Sequence, residues 1–411
     1  MTLIIRVFIY VFCILSSAFT QNELLRISFN EMVEMANKNS ISIQQLKEEQ
    51  KQSEYQVKKE LSWTNPALDY SREIVNNESE HSITLTKQIE FPWIYSLRKQ
   101  RVKNQLESIQ LRSIDKKNQF YAAIKSKYCT LKLTEKQMQQ LQKIKDHLSE
   151  ISKTAENQFR EGNLSGVEKH LIEMALMNIT AQHQNLASEW IQNRNDLKVK
   201  LGIDQTMELQ LKTEIDFQLI QLKPVKTYVT MAAQSSRYRQ MQLNQMTAKK
   251  GVQLVKSSLI PHFNIFGGKK MVDNSNGFIA GLSLPLPIFN LNQSKINQAQ
   301  AEADLADYEF DQFKQNLNSQ LNSIKENIEK IGKWLEKYDA ELKENKQFTS
   351  NLISAYDEGW MSLTEFLNAI EIHVGSNELY YDQLSNYYEK IFNLEAITGE
   401  ELITFKSEGD K

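Results

Sequence analysis

The stretch Asp273–Phe310, DNSNGFIAGLSLPLPIFNLNQSKINQAQAEADLADYEF, decides the fold. A polar cluster opens it, and the apolar run Phe278–Leu286 follows, closed by Pro285 and Pro287. From about Asn292, small apolar residues recur every three or four positions, which is the period of a helix. The stretch therefore predicts a strand that ends at prolines and leads into a very long helix.

The same join of strand, proline and long helix occurs a second time, at Ile83–Pro92. Beyond each join, a long stretch without proline runs to a glycine turn, at Gly162 and at Gly359. These two glycines are 197 positions apart, and so are Gly202 and Gly399. We interpret the shared spacing as an internal duplication, in which each copy contains a helix, two strands, a long helix, a turn and a returning helix.

The duplication predicts how the chain is divided. The predicted segments are a secretory signal at 1–20, a first repeat at 21–203, an equatorial connector at 204–225, a second repeat at 226–400 and a C-terminal tail at 401–411. In the first repeat we expect one helix within 21–62, with Leu24-Leu25 leading in and a capping start at Ser28–Glu31. Strands at 67–73 and 82–89 and helices at 93–161 and 167–201 are expected to follow. Those of the second repeat are a helix at 226–259, strands at 262–267 and 278–286, and helices at 292–356 and 363–397.

The first twenty residues have the features of a cleaved secretory signal, with Arg6 ahead of the apolar run Val7–Leu15. A single membrane anchor is the alternative, but the run is shorter than the roughly 20 residues of a membrane span. Removal of the signal would leave Cys129 as the only cysteine, so we expect no disulfide within the chain. No later stretch is apolar enough for a transmembrane helix, so any membrane span would have to be a closed β-barrel.

The charge balance and the motifs exclude several classes of function. Lys and Arg total 49 and Asp and Glu total 51, which gives no electrostatic reason to expect nucleic-acid binding. The sequence has no nucleophile–base arrangement, no phosphate loop and no metal-ligand spacing, and its six histidines are scattered. We therefore predict that the protein is not an enzyme, uses no cofactor or metal, and binds no nucleic acid.

The helical repeats point to packed coils and to several copies of the chain. Apolar residues from Ala299 to Leu335 recur mostly at alternating steps of four and three, which is typical of coiled-coil packing. Four strands cannot close a barrel, which needs about eight, so their edges would have to pair with other copies. Three copies would supply twelve strands above a hollow cylinder of helices, although the residues do not fix the number of copies.

Three stretches together resemble one protein family. They are Gly281–Asn290 (GLSLPLPIFN), the turn Tyr356-x-x-Gly359-x-x-Ser362-Leu363 and the closing Leu394-Glu395-x-x-Thr398-Gly399. With the duplication, they make the chain similar to TolC-type outer-membrane efflux proteins over nearly its whole mature length. A shorter resemblance, at Ile89–Pro92 and Ser96–Arg98, is to the metal-exporting branch of that family.

The resemblance implies a mainly α fold with a small β part, built from long coiled-coil helical hairpins and four strands per chain. It implies a homotrimer whose strands form a twelve-stranded barrel in outer-membrane lipid, on top of a periplasmic α-barrel. The implied function is the exit duct of a tripartite efflux pump. Its partners would be a periplasmic adaptor protein and an inner-membrane transporter, with the RND type favoured.

The resemblance also implies a periplasmic gate just after the second turn. Glu365 matches the first of two acidic gate positions, whereas Asn368 stands at the second, where this chain departs from the family pattern. Tyr356 matches a position that helps to hold the closed state. Three copies of Glu365 near one axis would raise one another's pKa and favour cations, and the alternative is that Glu365 is an ordinary solvated residue. We expect its counterpart Glu168 to face an adaptor or solvent.

The remaining candidate residues lie at the turns and at the strand-to-helix junctions. The turn residues are Gly162, Gly359, Ser165 and Ser362, and the junction residues are Pro92, Pro285 and Pro287. The two glycines are expected to permit left-handed turns. Trp93, Tyr95 and Phe289 either anchor the chain at the membrane interface or pack between helix and strands.

Two other functions stay open on the sequence alone. One is an exported soluble structural or adaptor coiled-coil protein whose strands form local hairpins. The other is an outer-membrane duct for type I protein secretion. Adaptors usually carry one helical hairpin between β-rich halves, whereas this chain has two long hairpins and few strands. What separates a duct from a soluble coiled-coil protein is whether the strand pairs enter a membrane.

Overall fold

The computed structural model describes residues 24–75, 78–257, 259, 262–272, 275–286, 292–344 and 347–405. The predicted signal, Pro287 and Phe289 lie outside these ranges. The described chain divides into two compact units. Unit 1 contains the residues up to Gln44, Asn118–Lys223 and the residues from Ser323 onward, and unit 2 contains Gln45–Lys117 and Pro224–Asn322.

Long helices dominate the described residues. The helices are α1 (Phe29–Asn39), α2 (Ile41–Lys58), α3 (Pro92–Arg160), α4 (Gly166–Leu201), α5 (Val225–Ala232), α6 (Ser236–Ser257), α7 (Gln293–Glu344), α8 (Phe348–Asp357) and α9 (Leu363–Thr398). The strands are β1 (Leu24–Ile27), β2 (Ala67–Val75), β3 (Glu78–Ile89), β4 (Glu208–Leu211), β5 (Phe263–Val272) and β6 (Ser275–Ser283). Helices α2, α3 and α7 contribute residues to both units.

Unit 1 contains a two-stranded parallel sheet of β1 and β4, in which Leu24 pairs with Glu208 and Ile27 with Leu211. The buried side chain of Tyr128 on α3 fastens this sheet to the helices. Its hydroxyl donates to the Ile27 carbonyl at 3.2 Å and accepts from the Thr213 backbone N–H at 3.0 Å. Because both bonds are shielded from water, they hold the connector after α4 in one conformation.

A continuous apolar core runs along the helical hairpins of unit 1. Leu141, Ile144 and Leu148 of α3 and Ile172 and Ile179 of α4 are buried in it. From α9 the core takes Leu363, Phe366, Ile370 and Val374. The steps of three, four and four in this last set place all four side chains on one face of α9, as heptad packing requires.

Unit 2 contains a four-stranded antiparallel sheet in the order β2-β3-β5-β6. Its register places Tyr70 opposite Ile83, Ile83 opposite Lys269, and Lys269 opposite Phe278. Because side chains alternate along a strand, residues in register share one face of the sheet. The sheet therefore has two faces whose composition can be compared.

One face of this sheet is apolar and exposed, and the other is polar. The exposed apolar side chains, all on the same face by register, are Leu68, Tyr70, Ile74, Ile83, Leu85, Ile265, Phe278 and Leu282. Arg72, Lys87 and Lys269 share that face, with Lys87 two residues and Arg72 and Lys269 three residues before the ends of their strands. On the opposite face Ser71 and Ser82 are hydrogen-bonded at 2.7 Å, and Thr86 donates to Asp69 at 3.1 Å. The sheet is therefore amphipathic, with one apolar face and one polar face.

Three of the predicted single helices are divided in the structure. The capping start predicted at Ser28–Glu31 is confirmed, because Ser28 and Glu31 form a capping box at the start of α1. The prediction of one helix from there to Ser62 is wrong, because the buried Ser40, with ψ of 122°, separates α1 from α2. Strand β1, which precedes α1, was not predicted. The helix predicted for 226–259 is interrupted before α6, where the Ser235 hydroxyl accepts from the Tyr238 N–H. The helix predicted for 292–356 is divided into α7 and α8, with Gln347 in a turn.

Among the described residues, no helix combines the length and the apolar character that crossing a bilayer requires.

Candidate functional site

The two turns that join the long helices have the same backbone geometry. Gly162 follows α3 with φ of 77°, and Gly359 follows α8 with φ of 76°. In the first turn the Asn163 N–H donates to the Gln158 carbonyl at 2.8 Å, and the Gly162 N–H donates to Phe159. In the second turn the Trp360 N–H donates to Ala355 at 2.9 Å, and the Gly359 N–H donates to Tyr356. Both turns are therefore Schellman motifs, which need the left-handed conformation that glycine adopts without strain.

Each turn is followed by a capping box that starts the returning helix. The Ser165 hydroxyl accepts from the Glu168 N–H at 3.2 Å, and the Glu168 carboxylate accepts from the Ser165 N–H at 3.0 Å. Ser362 and Glu365 repeat the arrangement at 3.3 Å and 2.8 Å. The Ser-x-x-Glu spacing was visible in the sequence as a capping signature and was not interpreted as one.

The capping bonds account for the electrostatics of both glutamates. Hydrogen bonds from the backbone and the hydroxyl of Ser362 lower the pKa of Glu365. Those from the hydroxyl and the backbone of Ser165 lower the pKa of Glu168 in the same way. In the single chain Glu365 is thus an ionised helix cap. The raised pKa expected when three copies approach one axis concerns an assembly, and it stays a prediction.

Tyr356 lies against the core of the second hairpin. Its ring stacks on Phe366 with centroids 4.6 Å apart and planes inclined by 18°. Burial raises the pKa of Tyr356, and the negative charges of Glu168 and Asp357 raise it further. The tyrosine therefore remains a neutral hydroxyl at physiological pH, close to the start of both returning helices.

Glu365 and Asn368 both lie on the exposed side of α9. They are three residues apart, a spacing that places them on one face of a helix. Ile372 and Leu379 continue the same stripe and are also exposed, although both are large and apolar. The structure thus brings the two gate candidates together on a helix face that nothing in the described chain covers.

The junction residues begin and end elements in unit 2. Pro92 is the first residue of α3, where the missing N–H costs no hydrogen bond, and Pro285 follows the end of β6. Trp93 stacks on Phe91 with centroids 4.5 Å apart and remains about half exposed. The side chains of Arg98 and Glu90 form an ion pair beside this stack. Trp93 therefore packs at the junction and also faces solvent, so both readings of its role remain open.

The described residues contain no group of three or more His, Cys, Asp and Glu side chains that would suit a metal ion. Cys129 is buried, and burial raises the pKa of its thiol well above the usual value.

Comparison with solved structures identifies the fold. The chain is similar to CusC, described with its conformational changes on folding and transmembrane channel formation, with a TM-score of 0.74 and 13% identity over 93% of this chain and 96% of that one. The Campylobacter jejuni CmeC outer membrane channel gives a TM-score of 0.74 and 16% identity over 90% of this chain and 85% of that one. The outer membrane protein VceC from Vibrio cholerae gives a TM-score of 0.73 and 12% identity over 91% of this chain and 97% of that one.

No protein-family model matches the chain, and no curated protein matches it by sequence. The structural likeness to CusC and CmeC nevertheless covers 93% and 90% of the chain, so it includes residues of both unit 1 and unit 2. The chain therefore has the fold of outer-membrane channel proteins. The mainly helical architecture with a small sheet part that the sequence predicts is confirmed.

Proposed function

We propose that this chain, which has the fold of outer-membrane channel proteins, forms the outer-membrane exit duct of an efflux pump. It passes substrates from the periplasm to the exterior as a homotrimer. The observation that carries this proposal is the two-faced sheet of unit 2, because a soluble protein would have to leave its apolar face in water.

The apolar face of the sheet suits contact with lipid. Phe278 is 95% exposed, and Leu68 and Leu282 are exposed on neighbouring strands. Apolar surface gains about 25 cal/mol for each Å2 removed from water, so a continuous exposed patch indicates a membrane or a partner. Strands of outer-membrane barrels alternate apolar and polar side chains in this way. Arg72, Lys87 and Lys269 interrupt this face two or three residues before the ends of their strands, and their long side chains can extend toward the headgroup region.

The edges of the sheet favour assembly with further copies. Among the residues that the structure describes, strands β2 and β6 each have a paired neighbour on one side only. An open edge presents unpaired N–H and carbonyl groups that need partners, above all inside a membrane. Three copies joined edge to edge supply twelve strands, which closes a barrel with no edge left over.

The exposed face of α9 is the proposed lining of the periplasmic gate. In a trimer, three copies of Glu365 and Asn368 face one axis, with Ile372 and Leu379 farther along the same helix. The carboxylates attract cations and repel anions at the constriction. The exposed Trp360 and the exposed apolar residues of α4 at the same end offer a surface for a periplasmic adaptor, which connects the duct to an inner-membrane transporter of the RND type.

The duct and its gate are tested by reconstituting the purified protein in planar bilayers and measuring conductance and cation selectivity. We expect a conducting pore whose cation selectivity falls in the variant Glu365→Ala. Glu168→Ala is the matched control, because it removes the same capping contact from the first hairpin and leaves α9 intact. Absence of any conductance would contradict the exit-duct proposal. Equal changes in cation selectivity in both variants would mean that Glu365 acts only as a helix cap.

A further inference from the structure

A polar cavity of about 210 Å3 interrupts the apolar core of unit 1 between α3, α4 and α9. Each helix turns a stripe of side chains toward it, and amide groups occupy positions where the neighbouring turns of the core carry leucine and isoleucine. The cavity is lined by Gln140 of α3, Glu189 of α4, and Asn377 and Glu378 of α9, among others. Packed helices normally fill such a seam with apolar atoms, so the polar composition of this segment calls for an occupant.

Two acceptor atoms at the cavity are buried and have no hydrogen-bond partner. They are Oδ1 of Asn377 and Oε1 of Gln140. Asn377 is only 6% exposed, and its amide nitrogen lies 3.1 Å from Nε2 of His373. Burial lowers the pKa of His373, so the imidazole is neutral and the Asn377 oxygen is the group that remains unpaired. A buried carbonyl oxygen without a donor is destabilising, and a ligand with N–H groups would supply the missing hydrogen bond.

The rim of the cavity carries negative charge that no basic side chain balances. Glu189 and Glu378 lie on facing helices, and within the described ranges neither forms an ion pair. In the described part of the chain, the Glu189 carboxylate accepts a single side-chain hydrogen bond, a long one of 3.4 Å from the Asn193 amide. These charges also affect a neighbouring carboxylate. Burial raises the pKa of Asp382 on α9, and the negative charges of Glu378 and Glu189 raise it further.

The rest of the wall is apolar. Leu141, Leu186 and Val374 line the cavity beside the amides. A compact metal ion does not suit this mixture, and the described residues hold no cluster of ligands for one. An alkylammonium ion does, because its NH3+ head has three donors for the unpaired oxygens and carboxylates while its chain covers apolar wall.

We propose that this cavity is a binding site for small primary alkylammonium ions, with the head held by Asn377, Gln140 and the carboxylates of Glu189 and Glu378. The site lies in the wall of one chain and needs neither a second copy nor the exit-duct function. It would allow a cationic amine to stiffen the packing of α4 against α9 when bound.

The test is calorimetric titration of the detergent-purified full-length mature protein with n-butylammonium chloride. Saturable binding is expected. Tetramethylammonium, which carries the charge without an N–H donor, should bind at least about tenfold more weakly, since a charged hydrogen bond is worth about 1.5–3 kcal/mol. Asn377→Leu and Glu378→Gln should each weaken butylammonium binding by about tenfold or more. Glu371→Gln, on an exposed position of the same helix outside the cavity, is the matched control and should leave affinity unchanged.

Three results would overturn the proposal. One is no saturable heat at butylammonium concentrations up to about 10 mM, which would mean that the cavity holds water only. Another is an affinity for tetramethylammonium equal to that for butylammonium, which would mean that the cavity attracts cations by charge alone and not through N–H donors. The third is equal loss in Glu371→Gln and Glu378→Gln. Since Glu378 is exposed, its amide variant should fold even if Asn377→Leu does not, so the outcome remains decisive.

Discussion

The two helical hairpins of this chain are built on the same turns but packed very differently. The first hairpin consists of α3 and α4, and the second of α7, α8 and α9. Returning helix α4 buries five residues, whereas α9, of the same length, buries fifteen. The α9 residues include the aromatic pairs Tyr380–Tyr381 and Tyr387–Tyr388, and Tyr387 accepts from the Ile220 N–H at 3.1 Å. Helix α4 instead exposes Val167, Leu171, Met174 and Met177 along one stripe.

The difference teaches that turn chemistry and core packing are set by separate parts of the sequence. Schellman glycines and Ser-x-x-Glu boxes define where each hairpin turns, and they recur at the same spacing. The side chains between those points decide which helix becomes central. In this chain α9 is the more buried of the two returning helices, and α4 keeps an exposed apolar stripe available for other molecules.

The largest expected effect tests the central position of α9. Phe366→Ala removes a ring that is fully buried and stacked on Tyr356, so it should lower the free energy of unfolding by about 3–5 kcal/mol. Lys169→Ala changes the equivalent position of α4 and should have little effect, because Lys169 pairs with Glu156 at the surface. Denaturant unfolding in detergent, followed by circular dichroism, measures both. Similar losses of unfolding free energy in the two variants would mean that α4 and α9 contribute equally to the core.

The next effect tests whether both turns need a left-handed residue. Gly162→Ala and Gly359→Ala should each cost about 1–2 kcal/mol, since φ is positive at both positions and no neighbouring atom obstructs a methyl group. Gly375→Ala is the control of opposite sign. It lies inside α9 with open space around it, so alanine should stabilise the helix by about 0.5–1 kcal/mol. A loss at Gly375 as large as at the turns would show that the effect is not conformational.

A smaller effect compares the two capping boxes. Ser165→Ala and Ser362→Ala each remove the hydroxyl that accepts from the third residue of the helix, which typically costs about 1 kcal/mol. The losses should be equal, because the two boxes share their geometry. Threonine at either position should restore most of the stability. A markedly larger loss at Ser362, seen in the same unfolding assay, would indicate that this serine has a role beyond the cap.

The smallest expected effect is a dependence on pH that only the second hairpin carries. His373 of α9 lies beside Thr349 and Asn377, and burial lowers its pKa, whereas the equivalent position in α4 is Leu176. The unfolded chain takes up a proton near pH 6.5 before the folded chain does, so stability is full above that pH and falls as the pH drops below it. Unfolding midpoints at pH 8 and pH 5 should differ less in His373→Gln than in the wild type. An identical difference in both proteins would contradict the assignment.

The sequence was sufficient for the turns and insufficient for the contacts between distant segments. Gly162 and Gly359 could be found because glycine, a following serine and a constant spacing mark such turns locally. Strand β1 could not, since its partner β4 lies far along the chain and the segment Leu24–Ile27 is only four residues long, with Arg26 among its apolar residues. Gly202 was identified as a helix end, but its closeness to the Asn39 carbonyl, which leaves no room for a Cβ, depends on tertiary packing.

The candidate site was predicted with the same asymmetry. Glu365, Asn368 and Tyr356 were gate candidates because the family resemblance implies a gate after the second turn, and the structure places all three at or beside the start of α9. That Glu365 closes a capping box follows from its distance to Ser362 in sequence, and the signal was available but unused. The polar cavity could not be predicted from the sequence, because its amides are spread over three helices and come together only when the hairpins pack.

The measurement that tests the central claim most directly is the native mass of the mature protein extracted from isolated outer membranes in mild detergent. The exit-duct account predicts a trimer in that fraction, in which the open edges of β2 and β6 pair between copies and the three sheets supply the twelve strands of the proposed barrel. A monomer or dimer found only in the soluble periplasmic fraction would contradict it, and the apolar face of the sheet would then need a different partner.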